Sequence, residues 1–268
     1  MNTTPDLMVT SLETITAFNV VDGSYMFTLD ELQNTSLQND EEKTPLTGKA
    51  GRTLSNLKRN KKMTISGANG MVSGGLLGVQ SGAEFTSKET EVMWTDYLTL
   101  DAAHKANTTY KAIGTTGTEI VSLRIRDKNG AATSALKQNA TASAGQFKYT
   151  PGTREIECHT DVPGGTEIVV TYKRKIKADV LANMSDKYSD KATLYIDALA
   201  EDKCAKVYRV QFYVPKADFS GTFSLDLGDN QTVHNFEAEA LAGVCGGNGA
   251  LWTYTVFGAD EPDAPEAP

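Results

Sequence analysis

The sequence predicts a mainly β protein with one short helix, a long loop arm and an inserted β segment. Three observations carry that expectation. β-Branched and aromatic residues gather in short alternating runs, as in Ile120-Val121-Ser122-Leu123-Arg124-Ile125-Arg126 and Ala192-Thr193-Leu194-Tyr195-Ile196-Asp197-Ala198-Leu199. Turn formers separate the runs, among them Asp22-Gly23, Pro151-Gly152, Pro163-Gly164-Gly165, Gly228-Asp229-Asn230 and Gly246-Gly247-Asn248-Gly249. Composition agrees: 40% apolar and 22% charged residues with 23 glycines is a turn-rich globular chain, and its 268 residues allow one large β domain or a domain with a smaller insertion.

Taken in chain order, residues 15–20 and 25–29 predict a hairpin about Asp22-Gly23. Residues 33–60 are rich in Asn, Gln and Thr, and Leu37, Leu46, Leu54 and Leu57 fit neither period, so a long loop or extended arm is expected, reaching to residue 62. A short strand follows at 62–67. Ser73 then suits the N-cap of a short helix over 74–81, whose glycines permit close backbone approach. Residues 91–100 predict a long strand, and apolar residues on both its faces place it centrally in a sheet.

Residues 114–176 form the inserted segment, with strands expected at 120–126, 147–150, 154–158 and 166–174 and an Ala, Ser and Thr run at 131–144. Five strands close the chain, at 192–199, 206–214, 223–227, 236–241 and 251–257, the second ended by Pro215. The expected division is therefore a discontinuous core of 1–113 and 177–258, the insertion at 114–176, and an acidic, Pro-rich disordered tail at 259–268.

Charge and rare residues narrow the function. A net charge of −8 and a pI near 5.0 disfavour gripping nucleic acid, and suit a wall past which a polyanion slides. The N-terminus shows no charged and apolar leader pattern, and no stretch has the apolar length of a membrane span, so no membrane partner is expected. Cys158, Cys204 and Cys245 read as reduced packing residues, and His104, His159 and His234 make no ligand spacing, so no metal, cofactor or catalytic group is assigned. Cys158-His159 is adjacent on a strand, which sends the two side chains to opposite faces. Asp226, Asp229, Glu237 and Glu239 are plentiful carboxylates with nothing marking a pair.

The arm is charge-split. Asp40, Glu41 and Glu42 precede Lys43, Lys49, Arg52, Lys58, Arg59, Lys61 and Lys62. Such a stretch is either a solvated loop or an arm that docks on the acidic surface of another copy, and the second reading makes those seven cations contacts between subunits.

Two longer phrases, residues 54–77 and 207–241, resemble the major tail, or tail tube, proteins of long-tailed bacteriophages that infect gut bacteria of the clostridial type. The first reads Asn60-Lys61-Lys62-Met63-Thr64-Ile65-Ser66-Gly67-Ala68-Asn69-Gly70, and the second contains Tyr213-Val214-Pro215-Lys216-Ala217-Asp218-Phe219-Ser220-Gly221. The resemblance implies a β-sandwich or half-barrel subunit that assembles with itself into stacked hexameric rings, making the hollow virion tail tube through which phage DNA passes without specific binding. It implies a non-enzymatic protein made in the host bacterial cytoplasm, with other tail proteins as partners: a tape measure, a terminator and, in contractile tails, a sheath. Alternatives are another phage structural component, such as a tail terminator or capsid decoration protein, or a carbohydrate-binding module displaying Trp94 and Trp252.

Overall fold

The computed structural model describes residues 6–127, 129–227, 232–242 and 249–258. It is mainly β, with 60% of the chain in strands and one α-helix among the described residues. The turns expected at Gly228-Asp229-Asn230 and Gly246-Gly247-Asn248, the packing role of Cys245 and the disorder of 259–268 lie outside the described residues. Contacts divide the chain into two compact units, Met1–Phe85 with Leu181–Pro268, and Thr86–Val180.

The first unit opens with the expected hairpin of β1 (Met8–Asn19) and β2 (Tyr25–Leu29), closed at Gly23 with φ +70°. Asp22 caps this turn by accepting the Ser24 N–H at 2.9 Å. The stretch expected to be a loop is instead two paired strands, β3 (Leu32–Thr47) and β4 (Thr53–Asn69). Its alternation is invisible because both faces of the distal half are exposed, so no period-2 burial selects the side chains. Two ladder shifts sit beside Asn34 (φ +52°) and Asn60 (φ +49°), the residue type that enters the left-handed region most readily after glycine.

Helix α1 (Gly74–Ser81) starts as expected, with the Ser73 hydroxyl accepting the Leu76 N–H at 3.3 Å. Gly75 lets it lie against β2: a Cβ there would come within 2.5 Å of the Phe27 Cβ. Close approach, not flexibility, explains that glycine.

The second unit contains β5 (Thr86–Thr99), β6 (Lys105–Asn107), β7 (Ile120–Arg126), β8 (Ala132–Gln138), β9 (Gln146–Thr150), β10 (Glu155–Cys158) and β11 (Glu167–Val180). They form one sheet in the order β5-β11-β7-β8-β9-β10-β6. β5 is an edge strand, not a central one: Asp96 and Leu98 turn inward, while Met93 and Tyr97 on the other face are 53% and 68% exposed. It joins this unit because it pairs β11 over its whole length, from Thr99 opposite Glu167 to Thr86 opposite Val180. The unit thus spans 86–180, wider than the 114–176 read from the sequence. Its core holds Leu123, Phe147, Ile156, Ile168, Val170 and Tyr172.

Inside that core Asp96 is 6% exposed, yet every oxygen is used. It accepts from the Thr109 N–H, the Thr109 hydroxyl, the Trp94 indole N–H and the Tyr172 hydroxyl, each at 2.8 Å. Burial pushes its carboxyl up, but these donors outweigh burial and hold it below the usual carboxylate range. Burial and the neighbouring Asp96 push Tyr172 up to about 12, so its hydroxyl stays a donor. Arg174 lies over the Tyr110 ring at 3.4 Å from its centroid and faces Trp94 at 5.2 Å. The cluster fastens the segment around 108–112 to the sheet.

The chain then completes the first unit with β12 (Lys191–Glu201), β13 (Val207–Phe219), β14 (Leu225–Leu227), β15 (Thr232–Ala240) and β16 (Thr253–Gly258). Its nine strands curl as a half-barrel in the order β2-β1-β12-β13-β15-β4-β3, with β14 on β15 and β16 on β13. Both ends of the chain therefore share one sheet. Ile15, Leu29, Ile65, Leu194, Ile196 and Val214 meet Leu76 and Val79 of α1 in its core. Pro215 does not end β13 as expected. It sits in a bulge, between Val214 opposite Leu194 and Ala217 opposite Ala192, where no ladder N–H is required, and its carbonyl accepts the Thr193 hydroxyl at 2.9 Å.

His234 on β15 is fully buried. Its Nε2 lies 2.7 Å from the Gln80 Oε1, an acceptor, so Nε2 carries the proton; Gln80 in turn donates to the Asn235 carbonyl at 3.0 Å. Burial holds His234 below the ordinary imidazole range. The pair ties α1 to the sheet.

Thr86 and Val180 are paired, so residues 86–180 are expected to fold alone, seen as a cooperative melt of that fragment. In it, Asp96→Asn should cost roughly 1–3 kcal/mol by denaturant unfolding, because it sets a donor against the Thr109 and Tyr172 donors. In the full chain, an unfolded His234 binds its proton near pH 6.5 but the folded one only at lower pH. Melting temperature should therefore drop as pH falls below about 6.5, and His234→Asn should make that slope shallower.

Candidate interaction surfaces

Among the described residues, Cys158, His104 and His159 make contacts within the second unit. Cys158 is buried and its thiol is pushed up to about 11 by burial and by nearby Asp161, which keeps it protonated. His159 instead meets Asp161 at 2.9 Å, and His104 contacts the Val162 carbonyl at 2.8 Å. Cys204 is exposed, which corrects its reading as a packing residue: it lies in the turn where Asp202 accepts the Cys204 and Lys206 N–H groups. Glu237 and Glu239 alternate onto the exposed side of β15, and Asp226 is exposed on β14. Asp229 lies outside the described residues. Among the described residues no three His, Cys, Asp or Glu side chains converge to hold a metal.

Trp94 and Trp252, the aromatic residues of the alternative carbohydrate-binding reading, both have partners within the chain, with Trp94 still 38% exposed. Trp94 is held in the Asp96 cluster, and Trp252 packs on Phe212, ring centroids 6.0 Å apart, beside the core of the first unit.

What the first unit offers is a ribbon. From Glu41 outward, β3 and β4 pair only with each other among the described residues, and all their side chains but the half-buried Leu57 are exposed. A two-stranded ribbon is marginal alone in water. Its tip turns through a 3₁₀ segment, Lys49–Gly51, with Ala50 at φ +64° and Gly51 at φ +73°. Leu46 and Leu54 stand 49% and 72% exposed there.

All seven cations picked out in the sequence lie on this ribbon or its tip and are exposed. Lys43 and Lys58 stand opposite each other and share Glu41, at 3.2 and 3.1 Å, holding its carboxyl below its usual range, the Lys58 contact most strongly. Glu42 is opposite Arg59 and bonded to Asn60 at 2.6 Å. Lys49, Arg52, Arg59, Lys61 and Lys62 make no ion pair among the described residues. Residues 43–62 carry these seven cations and no carboxylate, whereas the first unit outside 32–69 carries 20 carboxylates against six cations.

A second surface escaped the sequence reading. On the side of the half-barrel opposite its core, Phe18, Tyr195 and Tyr213 form a ladder across β1, β12 and β13, with centroids 5.7 and 5.0 Å apart. They floor a cleft of about 620 Å³, walled by Thr16, Asn19, Val20 and Thr193. Asp197, bonded by Gln211 at 2.8 Å, is its one charged lining residue. The signal was present: Tyr195 and Asp197 occupy the non-core positions of a cleanly alternating strand, where aromatic rings have no core to fill.

No curated protein matches the chain. The family model of the YomU/Tube protein family matches residues 7–254, nearly the whole chain across both units, and the protein therefore belongs to the YomU/Tube protein family.

Proposed function

We propose that this protein is the tail tube subunit of a bacteriophage, a structural and non-enzymatic component that assembles with itself into stacked hexameric rings and encloses a channel for phage DNA. Family membership supports the tail tube role. The observation that carries self-assembly is the β3/β4 ribbon: from Glu41 outward it is an all but fully exposed two-stranded element, with five cations that make no ion pair among the described residues, on a unit otherwise rich in carboxylates. Among the described residues, the outer edges of β2 and of β3 from Glu41 onward have no strand partner, which supports the same reading, since another copy can pair with such an edge or close a ring along it.

In this reading Lys43, Lys49, Arg52, Lys58, Arg59, Lys61 and Lys62 are contacts between subunits, and the acidic balance of the chain keeps DNA from sticking to the channel wall. The second unit is a decoration inserted in the core. A tape measure, a terminator and, in contractile tails, a sheath are the further partners, within the virion tail.

Negative-stain microscopy of the purified full chain should show hollow tubes about as wide as one ring, and deletion of residues 40–62 should leave soluble subunits or single rings. Small closed particles would favour a terminator or decoration protein. Monomers at high concentration that bind glycans would favour the carbohydrate-binding reading.

A further inference from the structure

The cleft and the ribbon tip are complementary in chemistry, and both are exposed in one chain. We infer that the tip of the β3/β4 ribbon of one copy seats in the Phe18–Tyr195–Tyr213 cleft of a second copy, an inference that rests on the self-assembly proposed above and names its mating surface.

The tip presents Leu46 and Leu54, exposed by 49% and 72%, flanked by Lys49 and Arg52. An apolar pair carried on a solvent-exposed ribbon loses surface to water only by entering another surface. The cleft supplies one: aromatic faces for the leucines and for a guanidinium, and Asp197 for a cation. The surroundings agree in sign. Residues 1–31, which provide β1 and β2 beside the cleft, contain five carboxylates and no Lys or Arg, and no cation lines the cleft. Attraction between such patches sets which surfaces meet and in what register, while the buried leucines and rings supply the hold.

The occupant is another copy and not the chain's own tip. Within one chain the ribbon prolongs the β3/β4 ladder at one end of the sheet order, and the cleft lies over β1, β12 and β13, beyond β15. No residue of 41–61 lines the cleft.

The test uses the full-length chain with the photo-crosslinking amino acid p-benzoylphenylalanine in place of Leu54, assembled from a mixture of heavy-isotope-labelled and unlabelled protein. Mass spectrometry should find crosslinks joining heavy to light chains, from position 54 to peptides containing residues 16–20, 193–197 or 211–213. Adding Asp197→Lys or Tyr195→Ala should lower their yield by about tenfold, as loss of a charge pair or an aromatic contact of about 1.4 kcal/mol predicts. If a variant misfolds by thermal melt, the crosslink map of the parent chain decides. Tubes whose interchain crosslinks fall elsewhere would overturn the cleft as the seat while leaving the tube reading intact. Crosslinks confined to single-label pairs would make the chain's own tip the occupant and overturn the inference. Absence of both assembly and interchain crosslinks would bring down the tube reading, and this inference with it.

Discussion

A strand has two edges and two faces, and a ribbon of two strands leaves one edge of each strand and both faces to its surroundings. Among the described residues, β3 from Glu41 outward pairs with β4 alone, and the pair covers neither face. Backbone donors and acceptors along such an edge are met by water until a strand or a surface replaces it. The ribbon's charges and Pro45 discourage pairing with arbitrary strands. What remains is an element stable enough to keep its register yet poorly housed alone, which is the physical basis for reading this unit as an assembly part.

The interior is organised to hold shape. Asp96 would be costly to bury unaided, and four donors from β5, β11 and the backbone and hydroxyl of Thr109 make it a fastening between segments far apart in sequence. His234 and Gln80 do the same for α1 and β15. The shift at Asp96 has a structural cause: four donors around its carboxylate hold it ionised inside the second unit. Each fastening joins residues far apart in sequence, 76 positions for Asp96 and Tyr172 and 154 for Gln80 and His234.

Much of this was legible in the sequence, for identifiable reasons. The strands of 120–126, 166–174 and 192–199 alternate because one face of each is buried, and Ser73 announced α1 by its hydroxyl. The ribbon's sequence predicts a loop because two exposed faces leave no alternation to detect. That of β5 predicts a central strand because its outer Met93 and Tyr97 are apolar although exposed. Pro215 predicts a strand end because a bulge that spares its missing N–H is a property of the pairing and not of the residue. Of the candidate surfaces, the seven cations were found by charge alone, whereas the cleft needed three strands that are distant in sequence to be brought side by side.

The pairing of Thr86 with Val180 has a wider consequence. Both covalent links of the second unit leave it from neighbouring residues on one ladder, so chain entry and exit lie one strand spacing apart. A domain whose own termini meet at that spacing satisfies the same covalent requirement. Thr86 and Val180 are therefore the positions at which a foreign domain can be grafted in the laboratory.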